Sequence, residues 1–252
     1  MKRPFVNVTI PVYNEEKTLA ANVRTVVEFL KTNCPYDHEV VIANNGSTDR
    51  TQTVAEELVG KYSVVRVMTL PRPGRGLALT TAWSASHADV LSYMDCDLSS
   101  DLAAFPKLIE PLIQKVFDLS VGSRLLEPSM TSRGLKREVL SRGYNLLLRG
   151  LFRTRFSDAQ CGFKAMTRNA ANELLPLVKD GGWFWDTELL VLAERLGFRI
   201  HNLAVRWVDD PDSKVRVVTA VITTMTALAR LRMKLAAKKP PGELRHVKEG
   251  AN

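Results

Sequence analysis

The chain has 252 residues, 45% of them hydrophobic and 25% charged, enough apolar material for one substantial core or at most two small ones. Its net charge of +8 and pI near 9.5 point to a negatively charged partner: nucleic acid, anionic lipid or a phosphorylated substrate. Cys34, Cys96 and Cys161 are odd in number and never form a Cys-x-x-Cys pair, and the four histidines are scattered. Both facts argue against a disulfide frame, a zinc site or a histidine metal cluster. Met1-Lys2-Arg3-Pro4 leads straight into a strand with no signal-peptide core, and no charge-free apolar run reaches the length of about 20 residues that crosses a bilayer. The expectation is a protein made and kept inside the cell.

In chain order, residues 5–10 read as a short buried strand, and 15–30 as a helix through the spacing of Leu19, Val23, Val26 or Val27, and Leu30. Strands follow at 39–43, 64–69, 90–94 and 119–121, alternating with helical stretches at 51–59, 75–87 and 102–114. That alternation predicts an α/β fold: a mostly parallel central sheet with helices on both faces. The second half departs from the rhythm, with a long basic amphipathic segment at 133–151, a helix at 185–196, a strand at 198–207 and a last helix at 215–237. Lys238-Lys239-Pro240-Pro241-Gly242 ends the expected order. This gives a domain over 1–214, an amphipathic helix over 215–238 and a polar flexible tail over 239–252.

Ligands of such sheets bind beyond the carboxyl ends of the strands. Three polar clusters fall there. Ile10-Pro11-Val12-Tyr13-Asn14-Glu15-Glu16 brings an aromatic ring and acids to the first strand end, suited to a base or ribose, although helix capping by Asn14 also accounts for it. Asn44-Asn45-Gly46-Ser47-Thr48-Asp49 pairs two amides, able to donate to and accept from a nucleobase, with a tight turn and a helix start. Asp95-Cys96-Asp97 closes a buried strand with two carboxylates one residue apart, an oxygen clamp for Mg²⁺ or Mn²⁺ or else a solvated turn.

These clusters in this order, followed by Gly122-Ser123-Arg124, resemble the inverting family 2 glycosyltransferases of GT-A fold. Asp158-Ala159-Gln160-Cys161-Gly162-Phe163-Lys164 and Trp185-Asp186-Thr187-Glu188-Leu189-Leu190 look like the polyprenyl-phosphate sugar synthases, the dolichyl-phosphate mannose and glucose enzymes among them. The resemblance implies that Pro11, Tyr13 and Glu15 hold the nucleoside, with Asn44 and Asn45 near the base. By the same resemblance Asp95 and Asp97 bind the donor pyrophosphate through the metal, and Lys214 closes over the phosphates. Arg124, Arg137 and Ser141 would receive the acceptor phosphate, with Gln160 near the sugar or acceptor. The chain has Asn44-Asn45 where the family usually has two aspartates, Ser99 where many relatives have glutamine, and Lys214 where some have arginine.

The implied reaction is transfer of glucose or mannose from UDP-glucose or GDP-mannose to polyprenyl phosphate at the inner face of the cytoplasmic membrane. A phosphate acceptor is already ionised and needs no general base. A soluble or polysaccharide hydroxyl acceptor, the alternative, needs one, and Asp186 or Glu188 would then serve. The basic, leucine-rich 133–151 segment and the final helix suit an anionic membrane surface, or else are simply packed on the core, and an integral membrane partner subunit is compatible with the pattern. The non-enzyme alternative is a basic nucleic-acid-binding protein; against it, no recognised nucleic-acid module is present and the basic residues gather beside apolar ones late in the chain.

Overall fold

The structure, a computed structural model, describes residues 3–127, 131–132, 135–208 and 217–237; the side chains of 131–132, 135–137, 217–223 and 237 fall outside that description. The strands are β1 (Phe5–Val12), β2 (Asp37–Asn45), β3 (Val65–Leu70), β4 (Val90–Met94), β5 (Leu119–Ser123), β6 (Thr131–Ser132), β7 (Phe163–Thr167), β8 (Ile200–Ala204) and β9 (Trp207–Val208). The helices are α1 (Leu19–Asn33), α2 (Thr51–Lys61), α3 (Arg75–Ala85), α4 (Phe105–Ile113), α5 (Leu135–Phe152), α6 (Arg168–Leu174), α7 (Trp185–Arg195) and α8 (Val217–Ala237).

Seven strands form one sheet in the order β3-β2-β1-β4-β7-β5-β8, and β6 pairs with β9 in a small ribbon. The sheet is parallel except for β7, which runs antiparallel to both neighbours, β4 and β5. The α/β expectation therefore holds, with one strand that the residue pattern did not reveal. Lys164 in the middle of Phe163-Lys164-Ala165-Met166-Thr167 breaks the apolar run, and β7 finds its partners far away in sequence.

Each face of the sheet carries its own core. Val6, Val8 and Ile10 of β1 pack with Leu19, Val23 and Leu30 of α1, Leu58 of α2 and Phe105 and Leu108 of α4. Leu91 and Tyr93 of β4 point the other way, toward Trp83, Phe152, Leu174 and Leu190 from α3, α5, α6 and α7. The alternation along β4 is the period of two that a strand imposes, and all five of its residues are buried because helices cover both faces.

α7 is buried from Trp185 through Ala193, a helix with no solvent side over most of its length. α8 covers part of it: Ala227, Leu228 and Leu231 join the same core, while Arg230 bonds Asp180 and Lys234 bonds Glu188. The polar strip that the sequence pattern placed opposite the apolar one thus partly faces protein. The tail over 239–252 lies outside the described residues.

Candidate active site

In the strand order, β1 has β2 on one side and β4 on the other, so the chain first builds outward through β2 and β3 and then returns across β1. The reversal opens a crevice past the carboxyl ends of β1 and β4, where open α/β sheets take their ligands. Pro11, Tyr13 and Glu15 lie at the end of β1, Asn44 and Asn45 at the end of β2, and Asp95 and Asp97 just past β4. The three sequence clusters converge at one edge of the sheet.

The loops there are laced together. Asn14, at a φ of 57°, donates its N–H to Ser47 Oγ and accepts from Thr48 N at 2.8 Å, while Glu15 N donates to Thr51 Oγ1. Asn14 therefore clasps the neighbouring loop instead of capping α1, which begins four residues beyond the expected start, after a turn closed on Glu15 O. Glu15 accepts from Thr18 Oγ1, and Tyr13 stands 46% exposed at the crevice edge. The amides serve the loops as well. Asn44 donates to Gln52 and accepts from Ser47 N, and Asn45 accepts from Gly74 N at 2.6 Å. With both ends of its side chain committed and only 1% of its surface exposed, Asn44 braces the turn. Gly46, just after the two amides, has a φ of +70°, and a Cβ there would meet the Arg72 backbone at 2.8 Å.

The centre of the crevice is a charged network whose cations were not among the candidates read from sequence. Arg75, the first residue of α3, donates through Nη2 to Asp95 Oδ1 at 2.8 Å and through Nη1 to Asp186 Oδ2 at 2.6 Å. Its guanidinium lies between the Tyr93 ring, 4.9 Å away, and the Trp183 ring, 5.2 Å away. Asp186 also accepts from the Tyr93 hydroxyl and from Lys164 Nζ at 2.9 Å. Burial opposes the charges of Arg75 and Asp186. At Asp186 the Lys164 and Arg75 charges outweigh it and hold the carboxyl below its ordinary range, and at Arg75 the partners Asp95, Tyr93 and Asp186 raise the pKa. A signal was available: Lys164 is a cation in a buried strand, and Arg75 is a cation at a helix N-terminus, where the dipole disfavours it. Each needed a carboxylate from elsewhere.

Arg124 grips Asp158 through Nε at 2.7 Å and Nη2 at 3.0 Å, with its ring partner Trp207 at 4.9 Å. Burial works against the Asp158 carboxylate, yet Arg124 and Lys164 hold its pKa below the usual value. Gln160 is exposed and donates its backbone N–H to Asp158, and Ser141 is buried on α5 one turn before Asn145. Arg137 lies on α5 with its side chain outside the described residues, as does the whole of Lys214. Glu188 is 2% exposed and accepts from the N–H groups of Lys179 and Asp180 and from Lys234, so it fastens a loop and α8.

Asp95 and Asp97 suit a hard divalent cation. Asp97 is exposed and accepts from Ser99 N at 3.0 Å, and Asp95 keeps 31% of its side chain open beside Arg75. Burial and then the nearby carboxylates of Glu15, Asp97 and Asp95 drive the Cys96 thiol pKa upward, a direct sign that anionic charge gathers at this corner. Gly162 makes room: a Cβ there would stand 1.6 Å from Asp95 Oδ2. Among the described residues no group of three or more metal-ligating side chains occurs, so two carboxylates would need oxygen ligands from a substrate, as Mg²⁺ sites commonly do.

Residues 7–175 match the family model described as "Glycosyl transferase family 2". The chain is 37% identical over 235 residues to glycosyltransferase AglD of Haloferax volcanii, a match covering 92% of this chain but 38% of AglD. It is 31% identical over 225 residues to the dolichyl-phosphate beta-glucosyltransferase of Mus musculus, covering 83% of this chain and 69% of that one. Among solved structures, glucosyl-3-phosphoglycerate synthase from Mycobacterium tuberculosis, in complex with Mn²⁺, UDP-glucose and phosphoglyceric acid, superposes with a TM-score of 0.68 at 22% identity. That match covers 92% of this chain and 80% of the other.

Proposed function

Because the chain belongs to glycosyl transferase family 2 and is a glycosyltransferase, we propose that it moves a hexose, glucose or mannose, from a nucleoside-diphosphate sugar to polyprenyl phosphate, with inversion. The observation that carries this choice of acceptor is the state of Asp186 and Glu188. A hydroxyl acceptor requires a base, and both candidates are more than nine-tenths buried with their oxygens committed to cations and N–H donors. Burial works against the Asp186 carboxylate, but Lys164 and Arg75 hold its pKa below the ordinary range, which makes it a weaker base than a free carboxylate. A phosphate monoester asks for no base at neutral pH, since its second pKa is about 6.

Tyr13 and Glu15 at the crevice edge would hold the nucleoside, with Pro11, Asn44 and Asn45 shaping the pocket behind them. Asp95 and Asp97 would hold Mg²⁺ or Mn²⁺, whose chemistry here is to stabilise negative charge on the departing nucleoside diphosphate. An acceptor phosphate oxygen attacks the anomeric carbon. The new C–O bond forms as the sugar–diphosphate bond breaks, and the electron pair leaves with the nucleoside diphosphate. Arg75 fixes Asp95 from one side, and Arg124, bound to Asp158 along one edge of its fork, keeps its other edge for the incoming phosphate together with Arg137, Ser141 and Gln160. Lys214 would add a cation over the donor phosphates.

The lipid requires a surface. Val139, Leu140, Leu146 and Leu147 of α5 and Met225 and Met233 of α8 are exposed, with Arg142 among them. Among the described residues no helix is long and apolar enough to cross a membrane. The reading is a peripheral enzyme that lays α5 and α8 on an anionic bilayer. Incubating the protein with Mn²⁺, undecaprenyl phosphate and radiolabelled UDP-glucose or GDP-mannose should yield label in the organic phase. Label only on a soluble or polysaccharide acceptor would overturn the assignment.

A further inference from the structure

Four tryptophans divide sharply. Trp83 and Trp185 are fully buried and Trp207 is 8% exposed, whereas Trp183 is 69% exposed. Its exposure does not come from a loose segment. The loop between α6 and α7 is pinned to α7 by Lys179 N and Asp180 N on Glu188, to itself by Gly182 N on Asp180 at 2.8 Å, to α3 by Leu77 N on Gly181 O, and to α8 by Arg230 on Asp180. A rigid mount therefore holds a large apolar ring in solvent. Its cationic neighbour is the guanidinium of Arg75, 5.2 Å from the ring and itself bonded to Asp95 and Asp186. Trp183 thus stands at the junction of two surfaces: the charged centre of the crevice and, through Asp180 and Arg230, the helix that exposes Met225 and Met233.

A ligand that is charged at one end and hydrocarbon at the other fits such a junction. An indole suits it, being an apolar plate with a polar edge that settles at boundaries between water and lipid. Resting on the acceptor reading given above, we propose that Trp183 is a specificity residue for the acceptor, receiving the isoprene unit next to the phosphate and guiding the chain out of the crevice toward α8. A hexose is the poorer occupant, because the guanidinium beside the ring is already shared by two carboxylates.

Two measurements test this on the full chain. Three tryptophans are buried, so emission from the exposed one can be followed as undecaprenyl phosphate in detergent is added without donor. The expected result is a blue shift in wild type that is lost in Trp183→Phe and is not produced by detergent alone. In kinetics, Trp183→Ala raises the KM for undecaprenyl phosphate about tenfold, the equivalent of about 1.4 kcal/mol, and raises it less for methyl phosphate, which lacks the isoprene unit. Trp183→Phe keeps most of the affinity. The KM for the nucleotide sugar moves less than the lipid KM. A ring that merely covers Arg75 would instead lower kcat equally on every acceptor, and that result, or an absent emission shift, overturns the proposal. An emission shift without glycolipid product supports the role of Trp183 in binding and counts against the transfer reading alone.

Discussion

Asp97→Asn lowers turnover by about two to three orders of magnitude and leaves the protein folded. Asp97 sits on the solvent side of the crevice, and the bond it accepts from Ser99 N can be accepted equally by an asparagine oxygen. The amide removes one negative charge from a site where two carboxylates gather, with little change of shape. Stability should hardly change, by an amount equivalent to about 2 °C in Tm. The charge matters because the leaving diphosphate becomes more negative as the sugar bond breaks, and a cation held less firmly stabilises that charge less. Initial-rate assays across Mn²⁺ concentrations should show weaker activation by metal in Asp97→Asn. A variant with wild-type turnover and wild-type metal response would remove Asp97 from the site.

Asp186→Asn acts on stability first. Asp186 is 4% exposed and holds Arg75 and Lys164, of which Lys164 is 2% exposed. An amide leaves Lys164 without its carboxylate and Arg75 with Asp95 alone. Breaking a buried ion pair by removing one partner costs about 3–5 kcal/mol, which lowers Tm by roughly 10 °C in a domain of this size. The loss comes with misplacement of Arg75 and, through it, Asp95, so activity falls as well. The double variant Asp186→Asn with Lys164→Met removes the stranded charge of Lys164 and leaves Arg75 on Asp95. It should recover most of the Tm, and turnover should recover in step. Were Asp186 the proton acceptor, the double variant would melt normally and remain inactive. Thermal melts and rates on the same preparations separate the two roles.

The alternation of strands and helices through Leu119 was legible because the inner strands are covered on both faces and carry near-continuous apolar runs, as at Val90-Leu91-Ser92-Tyr93-Met94. The convergence of Tyr13, Asn45 and Asp95 followed from chain topology alone. β7 was hidden because its stability comes from pairing with β4 and β5, both distant in sequence. For Asn44 and Asn45, side-chain type shows what an amide can bond but not which local N–H reaches its oxygen, and Ser47 N and Gly74 N do so here. Arg75, the first residue of the helix expected over 75–87, has no carboxylate partner in the neighbouring sequence. Its burial depends on Asp95, 20 positions away, and Asp186, 111 positions away. Such a site is a tertiary property, and only its odd members, a lysine inside a strand and an arginine at a helix start, leave a mark on the sequence.

In the proposed reaction the diphosphate of the donor lies against Asp95 and Asp97. A crystal structure of the protein soaked with Mn²⁺ and UDP-glucose or GDP-mannose, with the metal located by anomalous scattering, reads this directly. The expected map places Mn²⁺ about 2.1 Å from carboxylate oxygens of this pair and in contact with the phosphates. A nucleotide bound away from the end of β4, with no metal at Asp95 or Asp97, would contradict it.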